Sequence, residues 1–168
     1  MRTMEILEPL DFLVGSWDIV RSITDYQSDI QSSFEGTGSF AFMPLAESAV
    51  DQLMRYDEFG VLHLGDHHSG ARRSLDYRLI TRSMVMLYFT DGRPFVDLDL
   101  TDGQWTSSHL CGDDLYDIST LVRSETTIEE LWHVRGPSKS YEATTTLTRR
   151  ESSPPPNYGR KVRSLDGR

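Results

Sequence analysis

Four residues in one short stretch are of the types that move protons in enzymes: His109, Asp113, Asp114 and Tyr116. An imidazole beside carboxylates and a phenol can take up and release a proton near neutral pH. The pattern places them at the end of one strand, in the turn that follows and at the start of the next strand. They are therefore predicted to be catalytic residues for acid–base chemistry that needs no cofactor.

The same stretch also has a structural explanation. Gly112 would form a tight turn, and one of the two aspartates would cap backbone N–H groups, as aspartate often does in β-turns. His109 would then pack against Trp105 or Trp132. The sequence leaves both interpretations open.

Arg21 is the fifth candidate for a catalytic role. Alternation in the first strand places it on the face that carries Trp17, Ile19 and Ile23. A guanidinium among apolar side chains is costly unless it has a partner. That partner is either an anionic or carbonyl-bearing ligand at the floor of a cavity, or Glu130 in a structural ion pair.

Aromatic residues make up 10% of the chain, and several of them must face inward. Aromatic walls suit a flat or polycyclic hydrophobic molecule, while hydroxyl groups and a cation would orient it. Two further residues lie beside the turn at 136–137, at a predicted strand mouth. The predicted ligand-binding residues are Phe34, Phe40, Tyr56, Tyr77, Phe89, Trp132, Lys139 and Tyr141.

Three histidines lie in one short segment, at His63, His67 and His68. Together with Asp66 they resemble a metal-binding run. Glycines flank the segment, which predicts an exposed hairpin loop, and no second group of ligands accompanies it. We therefore predict neither a metal site nor a resident cofactor.

Nearly the whole chain divides into short alternating segments separated by turn residues. After a lead-in with a short helix, the first strand begins near Ser16. About ten antiparallel strands are predicted, which indicates an all-β, up-and-down barrel with an internal cavity. Arg149 in the last strand is expected to stack on Trp17 and close the barrel. The remaining predicted strands are 32–42, 50–56, 71–80, 83–90, 94–100, 104–109, 115–123, 126–135 and 140–149.

Composition bounds the class of protein. A chain of 168 residues predicts one domain, at 1–150, followed by a disordered tail at 151–168 that is rich in proline and basic residues. A net charge of -9 argues against nucleic acid or an anionic membrane as partner. The single cysteine, Cys111, excludes an internal disulfide and favours a reducing compartment. A cytoplasmic location is expected, with homodimer formation left open.

Six stretches carry a resemblance to a small lipocalin-like domain family of unknown function found in bacteria and fungi. The resemblance covers roughly residues 10–150 and implies a calycin-type barrel with an internal cavity, but no assigned reaction. One position departs from the pattern, because Val96 stands where the family tends to have a histidine. The stretches are 12–17, 21–23, 34–36, 89–95, 109–116 and 136–141.

Three functional hypotheses follow. The favoured one is a cofactor-independent enzyme, an isomerase, cyclase or lyase, that holds a hydrophobic small molecule and uses acid–base catalysis. The second is a non-catalytic carrier in which the same polar groups orient the ligand. The third is an interaction module with a filled core, which is disfavoured because no large apolar stripe is apparent on the outward alternation.

Overall fold

The structure, a computed structural model, describes residues 4–44 and 52–151. A short helix, α1, precedes ten strands. The elements are α1 Pro9–Leu13, β1 Gly15–Asp25, β2 Ile30–Phe42, β3 Leu53–Leu64, β4 His67–Leu79, β5 Met84–Phe89, β6 Pro94–Asp99, β7 Gln104–Cys111, β8 Asp114–Ser124, β9 Thr127–Arg135 and β10 Ser140–Arg149.

All ten strands belong to one antiparallel sheet, in the order β6-β5-β4-β3-β2-β1-β10-β9-β8-β7. The sheet curls into a nearly closed barrel, so β1 pairs with β10 and the end strands β6 and β7 face each other. Inward residues alternate with outward ones along most strands, as the pleat requires. The predicted up-and-down barrel with a short N-terminal helix is confirmed.

The β3–β4 hairpin is longer than predicted. Strand β3 continues to Leu64, β4 begins at His67, and the link is a two-residue turn at Gly65, which has φ +56. The histidine segment therefore lies in the ladder, where His63 and His68 are cross-strand partners. Most of the segment is exposed, as predicted, but it is not a loop, because residues 57–64 keep the alternation of a strand, with Glu58 buried on the inner face.

Two other expectations concern the ends of elements. Phe42 ends the strand predicted at 32–42 and shares the alternation of Phe34, which indicates an inward position, but 41% of its surface is exposed. Strand β2 runs past the start of β1, because Gly15 pairs with Phe40, and Phe42 is left without cover from β1. The predicted tail, apart from Glu151, and the start of the strand predicted at 50–56 lie outside the described residues.

Strands β2 and β3 approach each other closely at a pair of glycines, Gly36 and Gly60, which face each other across the ladder. A Cβ at Gly36 would overlap the carbonyl oxygen of Phe59, and a Cβ at Gly60 would overlap that of Glu35. The ring of Phe34 lies over both glycines. The missing side chains allow this close approach of the two backbones, and the ring fills the space that side chains would occupy.

One end of the barrel is sealed. Trp17 is fully buried there, donates its indole N–H to the carbonyl of Leu13 at 2.8 Å, and packs against Phe12 of α1. The Arg149 guanidinium lies 4.1 Å from the centre of the Trp17 ring and donates to the carbonyl of Val14 at 2.8 Å. The predicted stacking is confirmed, and it also fastens the N-terminal segment to the last strand.

The seam between β6 and β7 is held by side chains. Asp97 of β6 accepts hydrogen bonds from the Trp105 indole, at 3.2 Å, and from the Ser107 hydroxyl. Farther along the seam, the Phe95 and His109 rings lie 5.2 Å apart. The barrel is thus closed by one carboxylate and one ring contact where the ladder stops.

Candidate functional site

A buried carboxylate lies at the centre of the barrel interior. Alternation along β3 turns Met54, Tyr56 and Glu58 inward, and Glu58 is 5% exposed. Arg21 of β1 donates to both carboxylate oxygens, at 2.8 and 2.9 Å. The Tyr56 hydroxyl and the Nη2 of Arg73 donate to one of those oxygens, at 2.6 and 3.1 Å. Four hydrogen bonds therefore satisfy this carboxylate.

These partners determine how the cluster titrates. Burial by itself would raise the pKa of Glu58, but the Arg21 hydrogen bonds and the nearby Arg73 charge outweigh it and lower the pKa from 4.5 to about 2. Burial, together with the Glu58 charge, raises the pKa of Tyr56 well above its ordinary value. The carboxylate stays ionised and the phenol neutral, so the pair holds the two arginines and does not exchange protons near neutral pH.

Arg21 has a different partner from the one expected. Its ion pair is with Glu58 of β3 and not with Glu130 of β9, and its Nε donates to the Thr145 hydroxyl at 2.8 Å. The Phe34 ring centre lies 5.1 Å from the guanidinium carbon. An ion pair is present, as the structural alternative predicted, but its partner differs, because the strand predicted at 50–56 ends two residues before Glu58.

Arg73 of β4 was missed by the sequence analysis. It shares the inward face with Ala71, Leu75 and Tyr77, and that alternation was the available signal. Its guanidinium carbon lies 4.8 Å from the centre of a Trp132 ring. Its Nε is buried and has no hydrogen-bond partner among the described residues. Arg73 is thus the interior cation with unused donor capacity.

The contact between Arg73 and Trp132 divides the open end of the barrel. Strands β4 and β9 lie five places apart in the ten-strand order in either direction, so they occupy opposite walls. The two side chains meet in the middle and line the cavities on both sides. We call the Arg73–Trp132 pair the crossbar.

On one side of the crossbar lies what we call the polar chamber, with a volume of about 370 Å³. It is bounded by residues of β1, β2, β3 and β10 and opens between their hairpins. Tyr141, one of the predicted ligand-binding residues, is on this side, as is Arg21. The other lining residues are Ile23, Asp25, Ser28, Ile30, Ser32, Leu64 and Ala143.

On the other side lies what we call the aromatic chamber, with a volume of about 150 Å³. Residues of β4 to β9 line it, and five of the nine lining residues carry rings. The Phe95 ring is central, 5.6 Å from Trp132 and 4.9 Å from Phe89. The remaining lining residues are Ser74, Leu75, His109, Cys111 and Tyr116.

His109 packs within this chamber. It pairs with Tyr116 across the β7–β8 ladder, and their ring centres lie 6.3 Å apart. Its nearest ring neighbour is Phe95, at 5.2 Å, so the expected packing against Trp105 or Trp132 was replaced by packing across the seam. Within residues 4–44 and 52–151, no hydrogen bond joins the His109 ring to a carboxylate.

The two aspartates of the predicted catalytic group lie apart from the imidazole. Asp113 is exposed in the turn at Gly112, and the Asp114 carboxylate pairs with Lys139 at 3.0 Å. Lys139 also donates to the Tyr116 hydroxyl at 3.0 Å. These two hydrogen bonds raise the pKa of Lys139. Of the predicted catalytic residues, Tyr116 therefore lies beside His109, whereas Asp114 forms an ion pair with Lys139.

Most of the other predicted ligand-binding residues fill the core. Phe40, Tyr56 and Tyr77 pack together, with ring centres 4.5 to 6.3 Å apart. The space beneath the crossbar has a volume of only about 30 Å³, enough for about one water molecule. The Phe34 ring packs over the Gly36–Gly60 pair. Only Phe89, Trp132 and Tyr141 of the predicted set line the two chambers.

The histidine pair does not assemble a metal centre. His63 and His68 bring their Nδ1 atoms to 2.8 Å, so one ring donates to the other. Across the described ranges, no group of three or more histidine, cysteine or acidic side chains could hold a metal ion. No residue of this segment lines the aromatic chamber.

Comparison with known proteins places this geometry in a family. The sequence pattern of a family of unknown function, DUF6314, matches residues 13–149, which is most of the chain. The chain belongs to this family. Both chambers and the crossbar therefore lie within the part of the DUF6314 protein that the pattern covers. No curated protein matches the chain.

Solved structures share the fold of this DUF6314 protein at low identity. An S-type phycobiliprotein lyase from Guillardia theta is similar, with a TM-score of 0.67 and 12% identity over 89% of this chain and 94% of the lyase. A protein of unknown function from the DUF3598 family of Nostoc punctiforme has a TM-score of 0.55 and 12% identity. That match covers 89% of this chain and 51% of the larger protein. Both are lipocalin-like barrels, and the likeness concerns the fold alone.

No helix in the described part of the DUF6314 chain has the length and apolarity that a membrane span requires.

Proposed function

We propose that this DUF6314 barrel binds a flat, hydrophobic aromatic small molecule at its open end. The observation that carries the proposal is the aromatic chamber, in which the rings of Phe89, Phe95, Tyr116 and Trp132 surround a space of about 150 Å³. Aromatic side chains favour stacked and edge-to-face contacts with planar molecules. Apolar pockets with a few polar groups are the usual form of ligand sites.

The volumes bound the size of the ligand. A cavity of about 150 Å³ accommodates a single benzene-sized ring. A polycyclic molecule would need to reach past the crossbar into the polar chamber of about 370 Å³. The proposed ligand therefore places one ring in the aromatic chamber and extends the rest toward β1 and β10.

Ligand titration tests this proposal. One- and two-ring aromatic compounds are titrated into the full chain at pH 7, with the heat of binding measured by calorimetry as the readout. Saturable binding is expected, and Trp132→Ala should weaken it by about tenfold because it removes a wall of the chamber. Phe59→Ala is the matched control, since Phe59 is an aromatic residue of β3 that is 61% exposed on the outer face. No saturable binding, or equal weakening by both variants, contradicts the proposal.

A second candidate function is acid–base catalysis on the bound molecule, as a cofactor-independent isomerase, cyclase or lyase. It is supported by the position of His109, which faces the aromatic chamber with Tyr116 across the ladder. In this proposal the imidazole removes or supplies a proton and the Tyr116 hydroxyl, already held by Lys139, orients the substrate. A carrier would leave the molecule unchanged.

Mass spectrometry distinguishes catalyst from carrier. A small-molecule extract of the producing organism is incubated with wild type, with His109→Ala and with His133→Ala, a histidine whose side chain is 49% exposed. Catalysis predicts a new species, such as an isomer of unchanged mass, with wild type and His133→Ala only, while all three retain binding. An unaltered compound retained by all three supports the carrier.

A further inference from the structure

Arg73 has donors that the protein does not use. A guanidinium carries five N–H groups, and the described residues accept one hydrogen bond from Arg73, at Glu58. Its Nε is buried without an acceptor. The side chain nevertheless keeps 28% of its surface accessible, and it lines both chambers. Buried N–H groups are normally hydrogen-bonded, and the Nε of Arg73 is an exception among the described residues.

Arg21 is a contrasting case. It donates two hydrogen bonds to Glu58 and a third to Thr145, so each of its three guanidinium nitrogens has an acceptor. Arg73 therefore shares its ion-pair partner, Glu58, with Arg21. Burial acts to lower the pKa of Arg73, but the charge of Glu58, together with smaller contributions from Tyr56, Glu130 and Tyr77, leaves that pKa above its ordinary value. Arg73 is cationic at every working pH.

The other polar groups facing Arg73 do not satisfy it. Glu130 of β9 accepts the Trp132 indole N–H at 3.4 Å and forms no ion pair with Arg73 within the described ranges. Tyr77 is buried beneath the crossbar, and burial, followed by the Glu130 charge, raises its pKa. Tyr56 is committed to Glu58. Among residues 4–44 and 52–151, no group accepts from the Nε of Arg73, which leaves that donor side for a ligand.

We propose that Arg73 selects ligands that carry a carboxylate on a planar aromatic ring system. The ring occupies the aromatic chamber against Phe95, and the carboxylate accepts from the free N–H groups at the crossbar. A guanidinium matches the geometry of a carboxylate with parallel hydrogen bonds while its face remains stacked on an aromatic ring. This inference rests on the proposed function and adds the chemical class of the ligand.

A matched ligand pair tests the inference. The probes are benzoate and benzamide, which have the same single ring and nearly the same shape but differ in charge. Both are titrated into the full chain at pH 7 by calorimetry. Wild type should bind the carboxylate at least about tenfold more tightly, because charged hydrogen bonds are stronger than neutral ones.

Variants at neighbouring positions assign the preference. Arg73→Met should abolish the preference, so that benzoate and benzamide bind with affinities within about threefold of each other. Arg72→Met is the matched control, because Arg72 precedes it on β4 and is exposed on the outer face. Arg73→Lys keeps the charge without the fork and should give an intermediate preference. Amide binding by Arg73→Met shows that the chamber is still formed.

The outcomes separate the two proposals. Equal affinity of wild type for both probes, or a preference that survives in Arg73→Met, overturns the role of Arg73 and leaves the proposed function standing. Absence of binding for both probes and for the wider panel overturns the proposed function and this inference with it. A preference that disappears in Arg73→Met and persists in Arg72→Met supports both.

Discussion

Replacing Glu58 with glutamine tests the central claim about the barrel interior, that one ionised carboxylate holds two arginines. Glu58 is 5% exposed and accepts from Arg21, Tyr56 and Arg73. A pKa lowered from 4.5 to about 2 corresponds to about 3 kcal/mol of stability at pH 7. Removing one member of a buried ion pair costs about the same, roughly 3–5 kcal/mol.

The sign of the pH dependence follows from the direction of the shift. The folded state binds fewer protons at this carboxyl than the unfolded state does, so its contribution is fully present above about pH 4.5 and is lost as the pH falls toward about 2. About 2 kcal/mol of it should be gone by pH 3. Glutamine does not titrate, so the difference between wild type and Glu58→Gln should shrink by that amount.

Urea denaturation followed by tryptophan fluorescence measures this difference. We expect Glu58→Gln to be less stable than wild type by about 3 kcal/mol at pH 7 and by about 1 kcal/mol at pH 3. Glu35→Gln is the control, since Glu35 of β2 is exposed, and it should stay within about 0.5 kcal/mol of wild type throughout. A difference below about 1 kcal/mol at pH 7, or one that does not change with pH, would refute the reasoning.

Three further predictions concern the frame of the barrel. Gly36→Ala should lower the free energy of unfolding by more than about 2 kcal/mol, because the new Cβ overlaps the backbone of β3, whereas Gly70→Ala, which meets open space, should be nearly neutral in the same denaturation assay. Arg149→Met should cost about 1–3 kcal/mol, seen as a lower thermal midpoint, because it removes the stacking on Trp17 and the hydrogen bonds to backbone carbonyls. Asp97→Ala should leave the rest of the barrel folded but speed amide exchange in β6 and β7, since this carboxylate holds the seam; exchange that rises equally in β1 would contradict that.

Much of the frame was accessible from local pattern. Alternating segments and turn glycines predicted about ten strands in an up-and-down barrel. The stacking of Arg149 on Trp17 could also be anticipated, because the first and last strands must meet when such a barrel closes. Alternation further indicated that Arg21 faces inward among apolar residues. These inferences need only neighbouring positions and the two-residue period of a strand.

The composition of the site was decided by the tertiary structure. Alternation states which face a residue occupies, but not which inward residues meet across the barrel. The partner of Arg21 is Glu58 because of the register of β1, β2 and β3, and the crossbar forms because β4 and β9 occupy opposite walls of a ten-strand ring. Closure and register are properties of the whole sheet, so the separation of polar and aromatic chambers at Arg73 arises only when all ten strands are in place.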